Sequence, residues 1–185
     1  MSYDVTLFVG SVRAASLNLK LAHALVMIQP AELKLEIVPV GGLPLYNPDI
    51  DVQAPDEWSV LRARIKRADA VLFVTPEHNR SVPAPMKNAI DIASRPYGAN
   101  AWDGKPGAVI STSPGAIGGF GANHHLRQML VFLNVPTMQQ PEAYIGHVDK
   151  LFDANGNLVD EGGAKFLEGF LGAFVKWIDA TRLPR

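Results

Sequence analysis

Gly10-Ser11-Val12-Arg13-Ala14-Ala15-Ser16-Leu17-Asn18 is the stretch on which the fold turns. It follows Val5-Thr6-Leu7-Phe8-Val9, a short β-branched and aromatic run that reads as a buried strand. It opens a segment with Leu21, Leu25 and Ile28 at helical spacing, which stops before Pro30. Strand, polar turn and helix together present free backbone N–H groups to an anion. Ser11, Ser16 and Asn18 add neutral donors, and Arg13 adds a forked, permanent positive charge. Ser16 also suits the N-cap, accepting from a first-turn N–H. A single phosphate fits such a turn. An ordinary helix start with a capping serine is the plainer alternative.

Beyond this turn, strand and helix alternate. Leu35-Glu36-Ile37-Val38 reads as a second strand. Residues 41–55 form a loop punctuated by Pro44, Pro48 and Pro55, with Leu43, Leu45 and Tyr46 as apolar anchors that predict packing. Asp56 is placed to cap a helix running to about Arg67, with Trp58, Leu61 and Ile65 inward. Residues 70–74 are a third strand, apolar throughout. Pro83 and Pro85 suit the start of a helix continued by Met86, Ala89, Ile90 and Ala93. Residues 102–106 read as a turn and 108–112 as the fourth strand. Leu126, Leu130 and Leu133 mark another helix, and the fifth strand lies within 136–145. A turn at 153–157 contains Asn155-Gly156, a pair that tolerates positive φ. The last helix carries Phe166, Phe170, Phe174 and Trp177 or Ile178 as an amphipathic stripe. Five alternations predict an α/β fold, a parallel sheet with helices on both faces. Without linker or repeat, residues 1–185 read as one domain.

Composition narrows the class. The chain has 185 residues, a formal net charge of −1 and 48% hydrophobic residues, enough for one sizeable core. The charge balance argues against nucleic acid as a partner, since such binders carry a basic excess. With no cysteine, thiol nucleophiles, disulfides and thiolate-held clusters are excluded. Met1-Ser2-Tyr3-Asp4 does not resemble a signal sequence, and no stretch is long enough to span a bilayer, so a cytoplasmic protein is expected.

In such sheets ligands bind beyond the carboxyl ends of the strands. Three loops leave strand ends with unusual composition and are expected to converge there: the first turn, Pro76-Glu77-His78-Asn79 after the third strand, and residues 113–121 with four glycines after the fourth. The first loop has one glycine rather than G-x-G-x-x-G, and no acidic residue closes the second strand, which favours a mononucleotide over a dinucleotide. The second can lay backbone groups and Asn79 along a flat heterocycle, or simply start a helix. Glycines in the third permit close approach of backbone or ligand. His124 and His125 are neighbours on a helix and point apart, so a metal pair is not expected. No G-x-S-x-G elbow supports a serine hydrolase.

Taken together, Gly10-Ser11-x-Arg13-x-x-Ser16-x-Asn18, Thr75-Pro76-Glu77-His78-Asn79-x-Ser81-x-Pro83 and Lys87-Asn88-Ala89-Ile90-Asp91 resemble the NADPH-dependent FMN reductase family. Gly104-Lys105-Pro106, Ser113-Pro114-Gly115, Gly118-Gly119, His125-Leu126-Arg127-Gln128 and Pro141-Glu142 extend the resemblance over nearly the whole chain. It implies a flavodoxin-like, doubly wound five-stranded parallel sheet of order 2-1-3-4-5. It implies that Ser11, Arg13, Ser16, Leu17 and Asn18 hold the FMN phosphate. Pro76, Glu77, His78 and Asn79 would line the isoalloxazine, with Ser113 and Gly115 approaching from the third loop. His78 stands where the family usually has Tyr. The activity implied is hydride transfer from NADPH or NADH to FMN and on to a quinone, azo, metal-oxyanion or flavin acceptor, by ping-pong kinetics and with no obligatory catalytic side chain. A homodimer or homotetramer is also implied. The rival readings are a flavodoxin-type electron carrier and a non-enzymatic nucleotide-sensing module.

Overall fold

The computed structural model describes residues 2–182. Five strands, β1 (Tyr3–Val9), β2 (Leu33–Pro39), β3 (Ala70–Pro76), β4 (Gly107–Thr112) and β5 (Ala143–Ile145), form one sheet. Their order is β2-β1-β3-β4-β5 and every pairing is parallel. The flavodoxin-like order read from the sequence is thus the one observed. Helices α1 (Leu17–Ile28), α2 (Asp56–Arg67), α3 (Ala84–Ala93), α4 (Phe120–Phe132) and α5 (Glu161–Thr181) cover both faces.

Alternation along the central strands divides the core. Val5, Leu7 and Val9 of β1 pack with α1 and α5, alongside Leu21, Leu25, Phe170 and Phe174. Phe8 points to the other face and joins Phe73, Trp58, Trp102, Leu126 and Leu130. There Phe8 and Phe73 stack with centroids 5.3 Å apart, and Trp102 meets Phe8 edge-on at 5.2 Å. β3 and β4 are buried along almost their whole length, which explains their unbroken apolar runs.

Several local expectations need adjustment. β1 and β2 each begin two residues earlier than the apolar runs suggest, because ladder pairing carries on through Tyr3, Asp4, Leu33 and Lys34. Asp56 does not cap α2. Pro55 occupies the N-cap and Asp56 is the first helical residue, where its charge still favours the helix dipole. Trp102 sits in a turn yet is fully buried, its Nε1 donating to Ile90 O at 3.1 Å. Phe166 is 37% exposed, and the buried stripe of α5 runs through Leu167, Phe170, Leu171, Phe174 and Ile178.

The loop after β2 is packed. Buried Asn88 of α3 stitches it down, accepting from Tyr46 N at 2.8 Å and donating to Leu43 O and Pro44 O at 3.2 and 3.1 Å. Trp58 Nε1 donates to Pro44 O at 2.9 Å. Among the described residues, no helix is long and apolar enough to cross a membrane.

Candidate functional site

The loops after β1, β3 and β4 meet at the carboxyl end of the sheet around a cleft of about 170 Å³. From the first come Ser11, Arg13, Ser16, Leu17 and Asn18. From the second come Pro76, Glu77 and His78, and from the third Thr112, Ser113 and Pro114. Val148, in the segment after β5, closes one side. Asn79 and Gly115 are not among the lining residues. A larger groove of about 880 Å³ lies between β2 and α2, away from these loops. It is lined by Glu36, Asp56, Glu57, Arg64 and Arg67 among apolar residues, and shares no residue with the cleft where the three loops meet.

Gly10 lets β1 run into this turn. Its N–H donates to Val74 O at 2.9 Å, and a side chain there would press on Pro76 Cδ and Thr75 Oγ1, each 3.1 Å from an ideal Cβ. Ser16 caps α1, its Oγ accepting from Leu19 N at 3.0 Å. The helical ladder begins with Lys20 N donating to Ser16 O. That leaves the amides of Leu17 and Asn18 over, as every helix start does. Arg13 is exposed and has no carboxylate partner among the described residues. A helix N-terminus, two serine hydroxyls and an uncommitted guanidinium are the kinds of group that bind phosphates in proteins.

The second loop is braced by its own backbone. His78 N donates to Ser81 O and Ser81 N to His78 O, both at 2.9 Å. Between them Asn79 and Arg80 have φ of 50° and 64°, the pattern of a tight I′ turn. Asn79 therefore sits at the turn apex and outside the cleft. Glu77 points back to α4: its Oε2 accepts from Ala122 N at 3.1 Å, while Oε1 pairs with Arg80 at 3.0 Å. Ser81 Oγ and His125 Nδ1 lie 2.8 Å apart, a second tie to α4.

The third loop is held from the other side. Ser113 N donates to Ile145 O at 3.0 Å, Val148 N to Ser113 O at 3.2 Å, and Ser113 Oγ accepts from Gly115 N at 3.0 Å. Gly118 and Gly119 have φ of 64° and 74°, and a Cβ on Gly118 would stand 2.5 Å from Tyr144 C. These two positions require glycine. Tyr144 lies against His124, its hydroxyl 2.9 Å from Nε2, and burial with its Glu142 neighbour pushes its pKa up to about 12. His124 and His125 thus have separate partners.

Two buried polar atoms of residues lining the cleft have no partner among the described residues, Asn18 Oδ1 and Thr112 Oγ1. Thr112 and Val148 were not legible as site residues. Thr112 reads simply as the last residue of a strand, and Val148 comes from a segment with no motif.

A family model described as NADPH-dependent FMN reductase matches residues 3–150. The chain is 57% identical over 181 residues to a quinone reductase of Pseudomonas putida, covering 97% of each. It is 44% identical over 183 residues to a 2-hydroxy-1,4-benzoquinone reductase of a Burkholderia species, covering 99% of this chain and 100% of that one. The solved structure of FerB, a flavoenzyme NAD(P)H:(acceptor) oxidoreductase of Paracoccus denitrificans, superimposes with a TM-score of 0.92 at 46% identity, covering 98% of this chain and all of that one.

Proposed function

The chain belongs to the NADPH-dependent FMN reductase family, and we propose that its cleft binds FMN, through which hydride passes from NAD(P)H to a quinone or related small acceptor. It is an oxidoreductase with FMN and reduced nicotinamide as its redox partners, rather than a passive carrier.

The residues present fit the cofactor. The observation that carries the reading is the meeting of three loops on one cleft, with an uncommitted Arg13 and leftover α1 amides at one end. Ser11, Arg13, Ser16, Leu17 and Asn18 hold the phosphate by charge, hydroxyl and helix dipole. Pro76, Glu77 and His78 line the ring edge, with Asn79 adjoining them from the turn apex, and Ser113 with Gly115 approaches from β4. Glu77 and Ser81 fix that edge by anchoring it to α4. FMN, when bound, supplies hydride acceptance and donation. The protein contributes binding and orientation, and no side chain is required as acid or base. With FMN bound, the cleft would serve reduced nicotinamide and acceptor in turn, and ping-pong kinetics go with this reading. The acceptors are of the quinone, azo, metal-oxyanion or free-flavin classes. A cytoplasmic location, where reduced nicotinamide is supplied, goes with this reading.

The purified protein is expected to be yellow, to release FMN rather than FAD on denaturation, and to be bleached anaerobically by NADPH or NADH. Adding a benzoquinone should restore the colour, and double-reciprocal plots against both substrates should be parallel. Bound flavin that bleaches only when a separate reductase is added would overturn the enzymatic reading.

A further inference from the structure

Four buried side-chain atoms have no hydrogen-bond partner among the described residues: Thr6 Oγ1, Asn18 Oδ1, Arg64 Nε and Thr112 Oγ1. Thr6 lies mid-strand in β1, and Arg64 already spends its terminal nitrogens on Asp4. The other two belong to residues lining the same small cleft. Thr112 is only 1% exposed and Asn18 5%. Buried polar groups are nearly always satisfied, and leaving one unpaired costs stability. The neighbouring Ser111 obeys that rule, meeting Ala143 O at 3.4 Å and Asn123 Nδ2 at 3.3 Å. Two exceptions in one cleft point to a ligand that completes them.

The chemistry of the two atoms narrows what that ligand group is. A side-chain carbonyl only accepts, so Asn18 Oδ1 requires a donor. A phosphate dianion has no proton to offer. A threonine hydroxyl both donates and accepts, which suits another hydroxyl. Position agrees. Thr112 is not on the α1 turn where the positive charge and free amides lie. It is paired in the sheet with Pro76 on one side and Ile145 on the other. We propose that Thr112, together with the Asn18 carbonyl, holds the hydroxyls of the cofactor's polyol chain, between the phosphate grip and the ring edge. This inference rests on the FMN reading above.

Thr112→Val keeps the shape and removes the hydroxyl. The test measures binding of three flavins to the flavin-stripped full chain by fluorescence quenching: FMN, riboflavin (polyol but no phosphate) and lumiflavin (neither). FMN and riboflavin should weaken by the same factor, about three- to tenfold for one neutral hydrogen bond, and lumiflavin should be unaffected. Thr112→Ser should bind all three as the natural protein does. The melting temperature of the flavin-free Thr112→Val protein should equal or exceed that of the natural chain, because an unpaired buried hydroxyl has been removed. A loss confined to FMN would place the hydroxyl at the phosphate and overturn the proposal. An equal loss for lumiflavin would place it at the ring and do the same. Unchanged binding, or a lowered melting temperature of the flavin-free variant, would make Thr112 a structural residue. Failure of the natural protein itself to take up FMN would instead defeat the cofactor reading.

Discussion

Arg13 is exposed at the mouth of the cleft and has no carboxylate to neutralise it among the described residues. Beside the start of α1, its fork is free for a phosphate, and charge-assisted bonds of this kind are about twice as strong as neutral ones. Arg13→Ala should therefore weaken FMN by roughly ten- to a hundredfold, corresponding to about 1.5–3 kcal/mol. Riboflavin, lacking the phosphate, should bind the natural chain and the variant alike, as fluorescence titration would show. Equal weakening of both flavins would assign Arg13 to the structure or to the substrate. Arg13 was legible in the sequence because charge, glycine and serines sit within one turn, so spacing alone places them together. Thr112 was not, because a strand residue reveals its face only when its neighbours across the sheet are known. Asn79 was legible as part of a promising loop, but not as the apex of a tight turn, a place that asparagine suits because it accepts positive φ.

Helix α4 starts without a capping side chain of its own. Its N-cap is Gly119, in the left-handed region, and a glycine has nothing to offer the first amides. Glu77 from the β3 loop does so instead, its carboxylate accepting from Ala122 N at 3.1 Å. A negative charge at that end also meets the helix dipole favourably. The Glu77 side chain is 15% exposed, whereas Arg80, its ion-pair partner, is 75% exposed. The cap should matter more than the pair. Glu77→Ala should lower stability by about 1–2 kcal/mol, as loss of an N-cap does, and Arg80→Ala by less than about 0.5 kcal/mol. Equilibrium denaturation measures both, and equal effects would show that the pair and not the cap carries the contact. At this scale the sequence was most informative for the buried parallel strands β3 and β4, whose apolar runs have few other readings. It was least informative for β5, three residues at the sheet edge inside a longer polar stretch, and for the cap, which joins residues 45 positions apart.

The assembled molecule leaves apolar side chains at both ends of α4 uncovered. On α4, Phe120 is 49% exposed, Val131 76% and Phe132 79%. Phe120 sits beside His124 and Tyr144 with ring centroids 4.3 and 5.2 Å away, so the apolar surface continues from the helix onto the edge strand. A formal net charge of −1 offers little repulsion between copies. Exposed apolar side chains on a helix are candidates for contact with a partner. We expect this surface to meet a second copy of the chain in a homodimer or homotetramer, because a two-fold contact needs only one self-complementary patch. Light scattering of the purified protein at micromolar concentration should then give a multiple of the 20.0 kDa chain mass. Phe132→Glu places a charge on the exposed last residue of α4 without touching the core, so it should shift the mass towards 20.0 kDa while the far-ultraviolet spectrum stays the same. A natural protein already at the monomer mass would remove the oligomer from this account. An oligomeric Phe132→Glu protein would move the contact to another face, such as the proline-rich loop after β2.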